Sequence, residues 1–197
     1  MAGKRRIYDI ENNSYEIVKI GTQEWMAENL RTTRYNDGTP IPLVTSDTAW
    51  FMITNTPACT WYEDSASVYG ALYNYYAVAD TNSHNVCPVG WHVPTNADWM
   101  ILFNHLGGFS VAGAKMKQTG LAHWNKPNIL ASNESSFTGL PGGLRTNGGP
   151  FVYIGQMGFW WSSTEGAFYY ILSSYHDILD IESGFSREGV SVRCIRN

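Results

Sequence analysis

One thiol and one imidazole lie close enough in this sequence to suggest catalysis. Cys87 and His92 are five positions apart in Cys87-Pro-Val-Gly-Trp-His-Val-Pro94. A thiol beside an imidazole could act as a nucleophile with its general base. The two prolines and the glycine of this segment instead favour a rigid turn, with Trp91 buried and His92 hydrogen-bonded. The turn is the better supported interpretation, and we predict no catalytic residue here.

The other patterns that carry chemistry are incomplete. Trp161-Ser-Ser-Thr-Glu165 offers three hydroxyl groups, but no G-x-S-x-G nucleophile elbow surrounds them, and hydroxyl runs in turns more often bond their own backbone. The glycine-rich residues 140–149 contain neither a Walker-type phosphate loop nor G-x-G-x-x-G. Three cysteines far apart in the chain, with no ligand-spaced histidine, argue against zinc. We therefore expect no enzyme activity, no cofactor and no metal.

Residues 166–185 have a composition typical of a binding surface. They contain no Lys or Arg and many Tyr, Ser, Ile and Phe residues. Binding loops combine rigid aromatic side chains with small, adaptable polar ones in this way. A pair of ordinary core strands has a similar composition. Composition alone leaves both interpretations open.

The composition of the whole chain limits its class. Of its 197 residues, 44% are apolar, 14% are aromatic and only 15% are charged, which excludes disorder. The net charge of -4 and 13 scattered basic residues do not supply the positive patch that a nucleic-acid binder needs. No apolar run approaches the ~20 residues of a membrane span, and no apolar stretch follows the basic start, so we expect no secretory signal. We predict one α+β domain over residues 1–197.

Residues 95–106 carry the clearest helix signal. Thr95 and Asp98 form a capping box with Asp in place of the usual Glu. Apolar residues then follow at helical spacing, and glycines at 107 and 108 supply a stop signal. The segment predicts an amphipathic helix of about two to three turns.

The remaining elements follow from turn residues and from alternation. Residues 14–20 predict a strand, and residues 36–60 predict a turn-rich surface excursion. Residues 69–79 place apolar groups at helical spacing and predict a short helix that ends at Asp80-Thr-Asn-Ser. In the last third, aromatic and β-branched residues alternate with Ser and Gly, which predicts antiparallel strands joined by tight turns. Short helices in the first half and strands in the last third are therefore expected.

Five blocks of sequence resemble the signature blocks of the Fibrobacter succinogenes major paralogous domain. In chain order they are Ile20-Gly-Thr-Gln-Glu-Trp-Met-Ala-Glu-Asn-Leu30, Tyr69-Gly-Ala-Leu-Tyr73, Cys87-Pro-Val-Gly-Trp-His-Val-Pro94, Trp161-Ser-Ser-Thr-Glu165 and Gly189-Val-Ser-Val-Arg-Cys-Ile-Arg196. The resemblance implies a C-type-lectin-like fold, similar to that of formylglycine-generating enzymes. It also implies a role among surface proteins, a subset of which are variable proteins of diversity-generating retroelements. In these, adenine-directed mutagenesis rewrites codons near the C-terminus.

The resemblance implies roles for individual residues. The fixed family positions, which we assign to the scaffold, are Trp161, Leu172, Gly189, Val192 and Cys194. If a disulfide forms, the resemblance implies that it joins Cys87 to Cys194 and leaves Cys59 free. Lys126-Pro-Asn128 places a cation where calcium-dependent lectins carry a carboxylate, so no lectin-type calcium site is expected.

The retroelement hypothesis makes a compositional prediction. Mutating the adenines of an Asn codon gives residues such as Tyr, Asp, His, Ser, Ile and Phe, but never Lys, Glu, Gln, Met or Trp. Within residues 166–185, every residue except Glu182 belongs to the reachable set. We therefore place the ligand surface at residues 168–185 and Val190. The predicted binding residues are Phe168, Tyr170, Ile171, Ser174, Tyr175, His176, Asp177, Asp180, Ile181, Glu182, Phe185 and Val190.

These observations predict a non-enzymatic binding module whose ligand residues are exposed in one patch. Its rigid anchors would be Phe168, Tyr170 and Tyr175, and its orienting polar contacts would be His176, Asp177, Asp180 and Glu182. The expected ligand is a protein or glycan on a cell surface, and the favoured location is a virion or a cell surface. Two alternatives stay open: an undiversified surface protein that binds glycans through Trp and Tyr residues, and an enzyme related to formylglycine-generating oxidases.

Overall fold

Curled β-sheets and short helices make up this computed structural model, which describes residues 5–62, 66–79 and 84–197. The strands are β1 (Arg6–Tyr8), β2 (Ser14–Ile20), β3 (Gln23–Met26), β4 (Cys59–Trp61), β5 (Ala71–Tyr73), β6 (Trp91–His92), β7 (Gly142–Arg145), β8 (Phe151–Ile154), β9 (Met157–Trp161), β10 (Phe168–Ser173), β11 (Leu179–Ser183), β12 (Val190–Ser191) and β13 (Ile195–Arg196). The helices are α1 (Asp47–Phe51), α2 (Ala66–Tyr69), α3 (Tyr75–Val78), α4 (Asn96–Leu106) and α5 (Phe109–Met116). The result is a small α+β domain with more strand than helix.

The last strands of the chain are interior members of two sheets. One sheet has the order β1-β2-β3-β13-β6, and the other has the order β11-β10-β9-β12-β5-β4. β12 lies between β9 and β5, while β13 lies between β3 and β6. β7 pairs with β9 and forms an antiparallel hairpin with β8. The antiparallel strands predicted for the last third are confirmed in β9, β10 and β11.

Helix α4 begins at the predicted capping box. The Asp98 amide donates to the Thr95 hydroxyl (3.2 Å), and the Thr95 amide donates to the Asp98 carboxylate (2.9 Å). The helix ends where Gly107 adopts a left-handed conformation (φ 103°), which costs glycine no steric strain. Its buried side chains are Trp99, Leu102, Phe103 and Leu106. The predicted helix is confirmed.

Two apolar layers enclose the central strands. On one side, α4 and α5 cover β9 and β10, and the Tyr170 ring stacks on Trp99 with 4.8 Å between ring centroids. On the other side, a second buried cluster includes Phe159, Tyr169 and Ile171. A strand that is covered on both faces reads as an unbroken apolar run rather than an alternating one. The sequence of β10 has this character.

The single helix predicted for residues 69–79 is wrong. The chain forms α2, then β5, then α3 over this region. Gly70 has a positive φ of 81°, which separates α2 from β5, and the Asn74 side chain accepts a hydrogen bond from the Ala77 amide at the start of α3. Pairing of β5 with β4 and β12 outweighs the local helical spacing. The turn predicted at residues 80–83 lies outside the described residues.

The three cysteines have two different environments. Cys87 and Cys194 form a disulfide, as the family resemblance implied, with 5.9 Å between their Cα atoms. This bond ties the turn before α4 to the segment between β12 and β13. Cys59 is free and buried, and burial raises the pKa of its thiol to about 12. Such a thiol stays protonated at neutral pH and is a poor nucleophile.

Candidate ligand-binding site

Strand β10 divides the predicted binding segment between the two faces of its sheet. Tyr170 and Leu172 face the helices, within the same buried cluster as Trp99. Tyr169 and Ile171 face the opposite way, and the Tyr169 ring lies 5.6 Å from Phe159. Successive side chains of a strand point to opposite faces, so only one of the two sets can face a ligand.

Four predicted binding residues are buried, so the expectation that the whole set is exposed is wrong. Tyr170 is fully buried because it packs in the helix-side core and donates its hydroxyl to the Asn96 side chain (3.2 Å). Val190 is buried because β12 is an interior strand. Ser174 is buried in the tight connection that follows β10, where its amide and carbonyl bond to neighbouring main chain. Ile171 is only 6% exposed, but it lines the cavity described below.

The other predicted residues are partly or fully exposed. Most of them lie along β11, the edge strand of its sheet, or in the turns at its two ends. The exposed members are Tyr175, Ile181, Glu182 and Phe185, and the half-buried members are Phe168, His176, Asp177 and Asp180. The structure therefore keeps eight of the predicted residues within reach of a ligand.

A cavity of about 380 Å³ opens on the face of β9, β10 and β11 that lies away from the helices. We call it the sheet cavity. Ile171 pairs with both Phe159 and Asp180, and Tyr169 pairs with Glu182, so these side chains share one face. The other lining residues are Leu144, Thr146, Val152, Tyr153, Met157, His176 and Glu188. Predicted residues Ile171, His176, Asp180 and Glu182 thus meet at one concave site.

Three carboxylates make the sheet cavity acidic. Asp180 lies 3.4 Å from His176 Nε2. Burial, followed by the charge of Glu182, raises the pKa of Glu188. Burial and these two glutamates together raise the pKa of Tyr169 far above its ordinary value. Within the described part of the chain, no lysine or arginine lines this cavity. The site therefore combines aromatic walls with negative potential.

A buried lysine beneath the site holds the connection between β10 and β11. Lys117 donates from Nζ to the carbonyls of Ser173 (2.9 Å), His176 (2.8 Å) and Ile129 (2.8 Å). The Ala114 amide donates to the carbonyl of Asp177 (3.0 Å). Burial lowers the pKa of Lys117 to about 8, opposed by the charge of Asp177. These bonds go to main-chain carbonyls of the connection, so they fix its backbone conformation independently of the side chains that it carries.

Sequence reasoning missed part of the cavity. Tyr169 could have been found, because Leu172 was assigned to the scaffold and strand alternation then places Tyr170 in the core and Tyr169 on the opposite face. Tyr153, Phe159 and Glu188 come from other segments of the chain. Their meeting depends on strand pairing, for which the local sequence carries no signal.

The sites considered for catalysis have structural roles. Cys87 is bonded to Cys194, so it is not paired with His92 as a nucleophile. Trp91 is buried and His92 Nδ1 lies 2.7 Å from the Asn197 side chain, which confirms the predicted turn. The Ser162 hydroxyl accepts from the Thr164 amide, as expected for a turn, whereas the hydroxyls of residues 163 and 164 bond the main chain of residues 93 and 96 at the start of α4. In residues 5–62, 66–79 and 84–197, no group of three or more His, Cys, Asp or Glu residues could hold a metal ion.

A known family model spans all five sequence blocks. Residues 18–196 match the family model of the Fibrobacter succinogenes major domain. The chain belongs to this family. In this Fibrobacter succinogenes major domain, the blocks supply buried scaffold residues, among them Trp25, Tyr73, Trp91, Trp161 and Cys194. No curated protein and no solved structure matches the chain. No helix in the described ranges is long and apolar enough to cross a membrane.

Proposed function

We propose that this protein is a non-enzymatic ligand-binding module with a C-type-lectin-like fold, and that the sheet cavity is its binding site. One observation carries the proposal: four residues predicted from the sequence to bind ligand line a single cavity. Concave sites with apolar and aromatic walls and a few convergent polar groups are where ligands usually bind. The ligand we propose is a protein or glycan of a cell surface. The location we propose for this chain is a virion or a cell surface.

Exposed apolar side chains beside the cavity support a larger ligand. Tyr175 is 54% exposed and adjoins His176 in the chain, and Phe185 is 63% exposed and donates its amide to Glu188 (3.1 Å). Ile181 is also exposed, but it pairs with Tyr170 and therefore lies on the opposite face of the sheet. Exposed apolar groups that lie together mark interaction sites, because burying them against a partner is favourable. The cavity would bind one group of the ligand, and the exposed side chains of Tyr175 and Phe185 would contact the part of the ligand that surrounds that group.

The same residues support the proposal that the segment is diversified. Exposed members of residues 175–185 can change without disturbing the core, and the connection before β11 is held through its main chain. The test is the DNA that flanks the coding sequence. A near-copy of the 3′ coding end beside a reverse-transcriptase gene is expected, and a flank without either would contradict diversification while leaving ligand binding intact.

A pair of matched variants tests whether the cavity binds ligand. Met157 is half-buried and lines the cavity, whereas Met100 is a 37% exposed residue of α4 outside it. Met157→Trp fills the cavity, and Met100→Trp places the same ring on a remote surface. Both variants and the unaltered protein would be applied to arrays of glycans and cell-surface proteins, after equal thermal unfolding midpoints show that all are folded. Loss of binding in Met157→Trp alone is expected; equal binding by both variants would contradict the proposed site.

A second candidate function, an undiversified glycan binder, is favoured by a different cavity. A space of about 700 Å³ is lined by Tyr75 and Tyr76 together with polar residues, among which are Asn55, Thr164 and Glu165. Tyrosine rings and hydroxyl or amide groups suit the faces and hydroxyls of a sugar. Asn55→Ala would abolish glycan binding under this candidate, while Met157→Trp would leave it unchanged.

A further inference from the structure

The walls of the sheet cavity are aromatic on two sides. The Tyr153 ring lies 6.0 Å from Phe159, and Phe159 meets Tyr169 edge to face at 5.6 Å. Tyr153 is 48% exposed, so it stands at the mouth, whereas Phe159 and Tyr169 are buried at the base. The faces of aromatic rings carry negative potential and attract cations. Aliphatic contact is available as well, from Ile171 and Met157.

The charges of the cavity are not balanced by the protein. Among the described residues, neither Glu182 nor Glu188 forms an ion pair, and Asp180 is paired only with His176, a histidine rather than a permanent cation. Glu188 is half-buried. Its carboxylate accepts a hydrogen bond from the Phe185 amide (3.1 Å), which orients it without neutralising it. A partly buried carboxylate without a cation is costly, and a ligand that brings positive charge removes that cost.

The His176 side chain leaves a further polar group unsatisfied beside this cavity. Its Nε2 atom faces Asp180, while its buried Nδ1 atom has no hydrogen-bond partner among the described residues. Buried polar atoms of this kind are uncommon in proteins unless a ligand or water serves them. The Nδ1 atom is itself buried, so the groups that a ligand in the cavity would contact are the aromatic rings and the carboxylates.

We infer that the sheet cavity takes an organic cation, an alkylammonium group whose apolar substituents contact Phe159 and Ile171 while its charge lies beside Glu182 and Glu188. This inference rests on the proposed function and names the ligand group that it requires. A bare metal ion fits less well, because it needs several oxygen ligands around one point and gains nothing from aromatic walls. An anion would be repelled by all three carboxylates.

A pair of isosteric probes isolates the charge. Choline carries a quaternary ammonium, and 3,3-dimethylbutan-1-ol has the same shape with carbon in place of nitrogen. Binding to the full chain would be followed by the amide and side-chain NMR shifts of residues around the cavity. We expect choline to bind at least about tenfold more tightly than the neutral probe. Equal affinity of the two probes, or binding of the neutral probe alone, would overturn the inference.

Matched variants place the interaction. Glu182→Gln and Glu188→Gln remove charge with little change of shape, and Glu134→Gln does the same at an exposed carboxylate outside the cavity. We expect the first two to weaken choline binding about tenfold together and the third to leave it unchanged. Unchanged binding in the double variant Glu182→Gln/Glu188→Gln would overturn the inference.

A third comparison identifies the source of the cation and separates the two proposals. Nα-acetyl-lysine amide presents a primary ammonium on a flexible chain, as a lysine side chain does. Tighter binding of this probe than of choline would indicate that the natural ligand is a protein side chain rather than a free or lipid-headgroup quaternary amine. If neutral compounds from a fragment library shift the cavity residues and neither cation does, the cavity binds ligands but not cations. If nothing shifts those residues, the proposed function fails together with the inference.

Discussion

Replacing Lys117 with Met tests how the site is held in place. The side chain is fully buried, and its ammonium donates to three carbonyls, two of which belong to Ser173 and His176. Met has a similar length and keeps the apolar contacts of the lysine stem but offers no donor. The variant therefore leaves three buried carbonyl oxygens without this partner.

The magnitude follows from two opposing contributions. A hydrogen bond to a charged group contributes about 1.5–3 kcal/mol, so the three bonds of Lys117 give about 4.5–9 kcal/mol. Burial lowers the pKa of Lys117 from 10.5 to about 8, which corresponds to about 3 kcal/mol against the charged form. Met removes both contributions, and the expected net loss of stability is about 3 kcal/mol. For a chain of this length that loss lowers the melting temperature by about 6–12 °C.

The assay compares Lys117→Met with Lys115→Met. Lys115 lies in the last turn of α5, two residues before Lys117, but it is partly exposed and its ammonium is 3.7 Å from the Glu134 carboxylate, so its replacement should cost less than about 1 kcal/mol. Amide hydrogen exchange provides a local measurement, because the Ala114 amide bonds to the connection through Asp177. Faster exchange at Ala114 in Lys117→Met is expected. Equal unfolding midpoints for the two variants would refute the reasoning, and so would a less stable Lys117→Met variant in which Ala114 stays protected.

Three further predictions concern pH and packing. Glu188→Gln should raise the unfolding midpoint at pH 7 but not at pH 4. The pKa of Glu188 is raised above 4.5 in the folded state, so ionisation of this carboxyl destabilises the folded protein as pH rises. An equal gain at both pH values would argue against this reason. Asp98→Asn should cost about 1–2 kcal/mol at pH 7 in urea unfolding, since the pKa of Asp98 is lowered to about 2, and the cost should shrink as pH falls below about 4; a constant cost would show that charge is not its cause. Tyr170→Ala should destabilise by about 3–5 kcal/mol, whereas Tyr175→Ala should change stability by less than about 0.5 kcal/mol, and similar losses would contradict the division of the segment between core and surface.

Local signals and family blocks predicted the parts of the fold that depend on few residues. The capping box located α4, because Thr95 and Asp98 satisfy the first amides of the helix from within the same turn. The polarity pattern did not locate the faces of β10, because this strand is covered on both sides and is apolar up to Ser173; only the assignment of Leu172 to the scaffold could have done so. Tyr170 was therefore placed on the wrong face. Only four of the twelve residues that line the sheet cavity were predicted, for a related reason: Tyr153 and Glu188 reach it through pairing between distant segments.

The positions of β12 and β13 have a consequence during synthesis. Ile195 pairs with both Trp25 and His92, and Ser191 pairs with both Trp160 and Leu72. On the ribosome, β3, β5 and β6 each lack a partner strand that is translated more than a hundred residues later. Neither sheet can complete its strand pairing before residues 190–196 leave the exit tunnel. The nascent chain therefore carries unpaired strand edges until that point, and contacts with chaperones should be concentrated in that interval.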